Sequence, residues 1–512
     1  MNKKILFFSP YAIWPFHFEN DLEIIKQHID QGDEVTFLTC DGDLSSCEPN
    51  SNHNLSTCQS CIQRRNKGFQ LLEISNKVKF LNFVNLSNSD RQTIKNFPKY
   101  FKNLRTLKLL TLENFDIGLS VASSLISYLR EPYPNPNNYK DYVKRNIESA
   151  LIVYLSVKNH IQAIKPDKMY IFNGRLASLR AAMRAAQQMS TSFDIHERAG
   201  VAGKYSLTAN TYPHDLEWNK AEIESVWTNS SLPEAEKFGI GSQWFIDRRM
   251  GKDQGWSSFT SDQNKAPNFI DKSKTNIVIY NSSEDEFAAI TGWENHIYKS
   301  QSEELFRLAQ SLKNDQNIDI YLRVHPNLKN ISNSQTKALT KLKGRYANFH
   351  IISAEDTINS YELMDIADCI ITFGSTMGVE SAFYHKHSFL VGASFYEDLE
   401  VCSTISSHNE LVNIIKDRQF DLSLLVKEER KKNAIKYGFY MATYGIEFTH
   451  FQQESIFVMT LSHNGKTIND SLIYSRILAK FKRIMVLGLF SWKTWFKIIE
   501  RLIAWAVKAP KI

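Results

Sequence analysis

Short apolar runs alternate with amphipathic stretches along most of the 512 residues, and the two spacings decide the fold class. KILFF (4–8) is strand-like and ends at Ser9-Pro10. DLEIIKQHIDQG (21–32) has helical spacing and stops at Gly32, and EVTFLTC (34–40) is strand-like again. KMYIFNG (168–174), RLASLRAAMRAAQQM (175–189) and SFDIHERAG (192–200) repeat strand, helix, strand. Between about 90 and 165 the pattern is mostly helical and reads as an insertion. Residues 251–274 are polar and aperiodic, so a linker is expected there.

Beyond the linker the alternation is regular. Strands TNIVIYNS, IDIYLRVHP, FHIIS, DCIITFG and SFLVG are separated by helices near 302–313, 334–343, 360–367 and 376–385. Strands alternating with helices predict a parallel, doubly wound sheet. The expected architecture is α/β, with two Rossmann-like domains facing a cleft. Residues 1–250 form the N-terminal domain, 275–425 the C-terminal domain, 426–470 a helical return and 471–512 a basic amphipathic tail.

Charge changes this picture only at the end of the chain. The formal net charge is +6, but nine Lys/Arg against Glu500 lie between Tyr474 and Ile512, leaving the rest at −2. A near-neutral body argues against nucleic acid as a partner. On a helical wheel, Lys493, Thr494, Lys497, Glu500, Arg501 and Lys508 share one polar arc, and most other positions of 492–508 are Trp, Phe, Ile, Leu or Val. That is the pattern of an in-plane helix on an anionic membrane, although a helix packed back on the N-terminal domain has a similar one. No apolar run is long enough to span a bilayer, and Pro10 and Pro15 interrupt the first one. The expected location is cytoplasmic, peripheral to the inner face of the cell membrane.

In doubly wound sheets ligands bind beyond the carboxyl ends of the strands. Ser282, Arg323, His325 and the run Gly374-Ser375-Thr376 all follow strands. Gly374 permits close backbone approach, Ser375 and Thr376 offer hydroxyls and a helix cap, and the helix N-terminus favours an anion. Glu380 could accept from ribose hydroxyls while Arg323 or His325 neutralises phosphate. Capping, dipole and turn chemistry explain each residue singly. In the first domain Asn173, Arg175, Glu197 and Arg198 end strands and are expected on the acceptor side. Glu197 is the candidate general base, with His17 as its rival, unless Glu197 is paired structurally with Arg198 or Arg175. The first turn lacks G-x-G-x-x-G, so a dinucleotide is not expected there.

RVHPNL followed by DIADCIITFGSTMGVESAFYHKHSFLVG resembles the nucleotide-binding domain of GT-B glycosyltransferases of the bacterial capsule and surface-polysaccharide group. IFNGRLASLRAA with HERAG is similar to their N-terminal domain. The resemblance implies a nucleotide-sugar donor on the C-terminal domain, a polysaccharide or lipid-linked acceptor on the N-terminal domain, and catalysis that requires no metal or other cofactor. SSEDE (282–286) is accordingly expected as solvated surface. The same motifs resemble cytidine-nucleotide-dependent sialyl- and Kdo-transferases and teichoic-acid polyol-phosphate polymerases, and an inactive assembly scaffold could keep the fold. Outside the resemblance, Cys40, Cys47, Cys58 and Cys61 have the spacing C-x6-C-x10-C-x2-C. One C-x2-C half fits a structural zinc site; unligated or redox-active thiols are the alternative.

Overall fold

The computed structural model describes residues 2–14, 17–252, 254, 258–295, 297–455, 458–463 and 466–467. The tail expected at 471–512, and with it the amphipathic helix, lies outside the described residues.

Six strands form the body of the first sheet: β1 (Lys4–Phe8), β2 (Glu34–Thr39), β3 (Val78–Asn82), β4 (Lys168–Phe172), β5 (Phe193–Arg198) and β6 (Lys204–Ala209). Their spatial order is 3-2-1-4-5-6, all parallel except β6. The second sheet contains β7 (Thr275–Tyr280), β8 (Ile318–Arg323), β9 (Phe349–Ile352), β10 (Cys369–Thr372), β11 (Ser388–Leu390) and β12 (Ser403–Thr404). It repeats the order, 9-8-7-10-11-12, with every pairing parallel. The protein is thus an α/β chain with two Rossmann-like sheets, each with a switch point, between β1 and β4 and between β7 and β10.

The strands read as continuous apolar runs because both faces of each sheet are covered. Leu6 and Phe8 face the insertion helices, packing with Val121, Leu125 and Leu151, while Ile5 and Phe7 face Phe18, Ile25 and Phe69. Ile277 and Ile279 face Leu305 and Leu308; Val278 and Tyr280 face Tyr361 and Met364. Each such side chain contributes about 1.5–3 kcal/mol by burial.

The helices Leu216–Asn229 and Glu234–Arg249 precede the expected linker, yet they share a core with the C-terminal sheet. Ile223, Trp227, Trp244 and Phe245 pack with Val379, Phe383 and Tyr396, and with Ala434 and Phe439 of the helix Leu424–Thr443. Gly241 and Gly438 let the second and third of these helices cross closely. A Cβ on Gly241 would stand 2.3 Å from the Ile435 carbonyl oxygen, and one on Gly438 2.4 Å from that of Gly241.

The return segment expected to be helical throughout 426–470 is helical only to Thr443. Gly445 has φ +100° and breaks it. The chain then forms β13 (Ile446–Glu447), antiparallel to β6, and so returns to the first sheet. The buried Glu23 carboxylate fixes this crossing by accepting from the Thr449 and His450 amides, each at 2.9 Å. Three more strands follow: β14 (Phe451–Ser455), β15 (Val458–His463) and β16 (Lys466–Thr467).

Candidate active site between the two sheets

The loop after β7 meets the N-terminal domain directly. Arg130 ends the helix Ile117–Leu129 in a left-handed conformation, φ 53°, and this turn aims its guanidinium across the boundary. It pairs with Asp285 and reaches the Ser283 hydroxyl and the Asn327 carbonyl, both at 3.4 Å. Around it, Asn333 Nδ2 donates to the Arg130 carbonyl at 2.8 Å, and the Ser334 amide donates to Glu131 at 2.8 Å. Arg175 Nη1 donates to the Glu286 carbonyl at 2.8 Å, and Trp293 Nε1 to that of His214 at 2.9 Å. The SSEDE run is therefore not solvated surface: Ser283, Glu284 and Asp285 are buried. Burial is tolerable because Arg130 neutralises Asp285 and the Gln301 amide donates to Glu284.

On the N-terminal side β4 ends at Asn173, whose φ of +61° turns the chain before Gly174. Its side chain donates to Glu197 Oε1 at 2.7 Å and accepts from the Arg175 amide at 3.1 Å, so one residue positions both. Desolvation raises the Glu197 pKa from the ordinary carboxylate value, against the lowering effects of Asn173, His196 and Arg198. Burial brings the Arg198 pKa down to about 10, which leaves it charged at neutral pH. Arg175 is a shared electrostatic centre, interacting with Glu286, Glu197, Asp285 and Glu48. His214 is pushed down to about 3 by burial and by Arg175. The rival base His17 is buried and stacked on Phe172 with ring centroids 3.5 Å apart.

The C-terminal residues divide into one group that faces this boundary and one that is internally engaged. His325 Nδ1 accepts from the Asn327 amide at 3.1 Å, and its own amide donates to Asn281 Oδ1 at 2.9 Å. Burial, then Arg323 and Arg130, lower its pKa to about 4. The ring is therefore neutral at pH 7, and with Nδ1 accepting, its proton sits on Nε2 as a donor.

Arg323 is a cross-link within the domain, donating to the Ser353 and Asp356 carbonyls and the Ser360 hydroxyl. Its buried guanidinium, expected at a phosphate, is bonded to backbone carbonyls in this structure. Ser282 is likewise engaged, donating to the Phe373 carbonyl at 3.1 Å and accepting from Gln301 at 2.7 Å. Gly374, φ +84°, is required because a Cβ would stand 2.5 Å from the Ala393 carbonyl oxygen, so its close approach is to the chain itself. Ser375 Oγ accepts from the Met377 amide at 3.4 Å, whereas Thr376 makes no side-chain cap. Thr376 Oγ1 instead accepts from Arg248 at 3.0 Å. Glu380, fully buried, pairs with Arg248 and accepts from the Tyr361 hydroxyl. Glu380, expected at a ribose, is thus engaged in an internal ion pair in this structure.

Three residues of this boundary carried no sequence signal, Arg130, His214 and Glu48, and a fourth, Glu286, belongs to the SSEDE run read as surface. Glu48 lies in the cysteine-rich loop and accepts from Ser124 at 2.7 Å and from Ser178 at 3.4 Å. Its pKa is raised by burial. The cysteines themselves form no disulfide, and among the described residues no three His, Cys, Asp or Glu side chains stand as a ready metal-ligand set.

No protein-family model matches the chain, and no curated protein matches it. Among solved structures, the chain is similar to the Thermosulfurimonas dismutans KpsC β-Kdo 2,4-transferase, with 12% identity and TM-score 0.34 over 61% of this chain and 87% of that one. It is also similar to UDP-GlcNAc 2-epimerase from Neisseria meningitidis bound to UDP-GlcNAc, with 10% identity and TM-score 0.31 over 86% and 97%. Acinetobacter baumannii MurG gives 13% identity and TM-score 0.26 over 85% and 94%. At these identities and TM-scores they are distant likenesses.

Proposed function

We propose that the protein is a GT-B-type glycosyltransferase that moves a sugar from a nucleotide-activated donor to a surface-polysaccharide acceptor. The observation that carries this reading is Glu197: a half-buried carboxyl of raised pKa, held by Asn173 and sharing the field of Arg175 with Asp285 and Glu286 of the opposing domain. A carboxylate tuned upward suits proton abstraction from a hydroxyl near neutral pH. In the reaction, Glu197 takes the acceptor hydroxyl proton, the acceptor oxygen bonds to the anomeric carbon, and the bond from that carbon to the nucleotide phosphate oxygen breaks. Arg130 and the Nε2–H of neutral His325 stabilise the charge left on the phosphate. These two are preferred to Arg323 and the Thr376 turn as phosphate-side groups because Arg323 is buried on backbone carbonyls and Thr376 holds Arg248, whereas Arg130, although paired with Asp285, keeps its side chain 38% exposed. Turnover is expected without added divalent metal.

The test is release of nucleoside phosphate from a panel of CMP-, CDP-, UDP-, GDP- and dTDP-sugars, CDP-glycerol included, with and without a polysaccharide acceptor fraction. One sugar nucleotide consumed faster with acceptor supports the reading. Turnover of CDP-glycerol alone would make the enzyme a polyol-phosphate transferase, and release from none would favour a scaffold. The basic amphipathic sequence at 492–508 supports an acceptor held at a membrane. Co-sedimentation with anionic but not zwitterionic vesicles, lost on removal of residues 471–512, checks it.

A further inference from the structure

Four cysteines reach one place from three separate pieces of chain. Cys40 follows β2, Cys47 forms a bridge with Asn50, and Cys58 and Cys61 stand one turn apart on the helix Leu55–Leu71. All four line a single cavity of about 20 Å³, walled otherwise by residues such as Pro10, Ile13 and Leu44. That volume takes one body the size of an ion or a water. An iron–sulfur cluster is far larger.

A second observation concerns the sulfurs. Each has N–H donors against it: the Ala12 amide on Cys61 Sγ at 3.1 Å, and Asn50 Nδ2 on Cys58 Sγ at 3.2 Å. The amides of Gly42, Asp43 and Leu44 lie against Cys40, and that of Asn50 against Cys47. A neutral thiol is a weak acceptor. Burial raises the Cys40, Cys47 and Cys61 thiols above their ordinary value, and these donors act against that shift; donors of this kind also orient the ligands of a metal centre.

We propose that Cys40, Cys47, Cys58 and Cys61 bind a structural zinc ion. The sulfurs are not a ready ligand set as they stand. What the fold fixes is four cysteine side chains around one cavity, and the proposal requires that side-chain rotation on binding bring the sulfurs to the distance of about 2.3 Å that a tetrahedral four-thiolate site needs. On binding, four thiol protons leave to solvent, four zinc–sulfur bonds form, and the centre carries two negative charges. Arg64 and Arg65, whose charges reach Cys61, face that charge from the following turn of the helix. Arg65 also donates to the Cys40 carbonyl at 3.1 Å. Since Cys47 adjoins Glu48, the ion fixes the loop that brings Glu48 to Ser124 and Ser178. Only this consequence for Glu48 rests on the proposed transfer reaction; the ion site does not.

The experiment is elemental analysis of the full chain, purified without immobilised metal. About one zinc per chain is expected, released by a mercurial in step with thiol modification and lost in Cys58→Ser and Cys61→Ser. If those variants fail to fold, cobalt substitution of the wild-type protein decides. Sulfur-to-cobalt charge-transfer absorption with tetrahedral d–d bands supports the site; their absence overturns it. Wild-type protein with less than about 0.1 zinc per chain, whose four thiols react with Ellman's reagent at the same rate with and without added zinc, would also overturn it. So would stoichiometric iron with sulfide.

Discussion

In the N-terminal sheet, the residues at the ends of β4 and β5 reach the opposing domain through Arg175: Asn173 joins Glu197 and Arg175, and Arg175 donates to the Glu286 carbonyl in the loop after β7. In the C-terminal sheet, built with the same strand order, most of the corresponding residues are committed to their own domain. Arg323 holds the Ser353–Ser360 segment, Ser282 holds Gln301, and Glu380 and Thr376 hold Arg248. His325 is the exception, since only Nδ1 is engaged among the described residues. The strand-end rule therefore finds the region, while hydrogen-bond satisfaction decides which groups in it are left for a ligand.

The strongest way to break this contrast is at Glu197. Glu197→Gln keeps the shape and the bond from Asn173 in altered form but removes the base, so transfer should fall by about 10²–10⁴-fold with the melting temperature little changed. Equal loss from Glu380→Gln would erase the distinction between the two sheets. Next is the ion pair itself. Arg248→Ala leaves Glu380, 1% exposed, without its cation and should cost about 3–5 kcal/mol in urea unfolding. Glu380→Ala should cost less, because Arg248 is 34% exposed and stays hydrated. The double variant should lose less than the sum.

A smaller effect is expected at the boundary. Arg130→Ala removes the partner of Asp285 and a phosphate-side donor, so turnover should drop by about 10²-fold. Urea unfolding checks whether the fold survives the same change. The smallest effect is a pH slope. His325 has a native pKa of about 4 against 6.5 for an exposed histidine, so between those values the unfolded chain binds more protons. Its contribution to stability is complete above pH 6.5 and is lost as pH falls toward 4, so stability should rise with pH across that window. His387, also lowered to about 4 by burial, contributes in the same direction. His325→Gln should flatten the slope by one proton's share in unfolding titrations.

Much of the fold was legible in the sequence because parallel strands covered on both faces leave continuous apolar runs, as in KILFF and TNIVIY. β6 was missed: KYSLTA follows a Gly and alternates weakly, and its antiparallel pairing comes from the tight return after β5. The segment after Thr443 was missed because a short strand such as Ile446–Glu447 has no periodicity to read. At the site, Asn173, Arg175, Glu197 and His325 were visible as strand-end residues. Arg130 and Glu48 were not, since an insertion and a cysteine-rich loop bring them in by tertiary packing alone. Nor could the sequence reveal that Glu380 had a partner 132 positions earlier in Arg248.

The central claim is that Glu197 and His325 belong to one reaction centre at the boundary that Arg175 and Arg130 bridge. The most direct measurement is nucleotide-sugar turnover by wild type, Glu197→Gln and His325→Ala side by side, with binding of the same nucleotide followed by calorimetry. The account predicts that Glu197→Gln binds the nucleotide as wild type does but transfers at least about 10²-fold more slowly, and that His325→Ala weakens both steps. Full turnover in Glu197→Gln, or nucleotide binding and transfer untouched in His325→Ala, would contradict it.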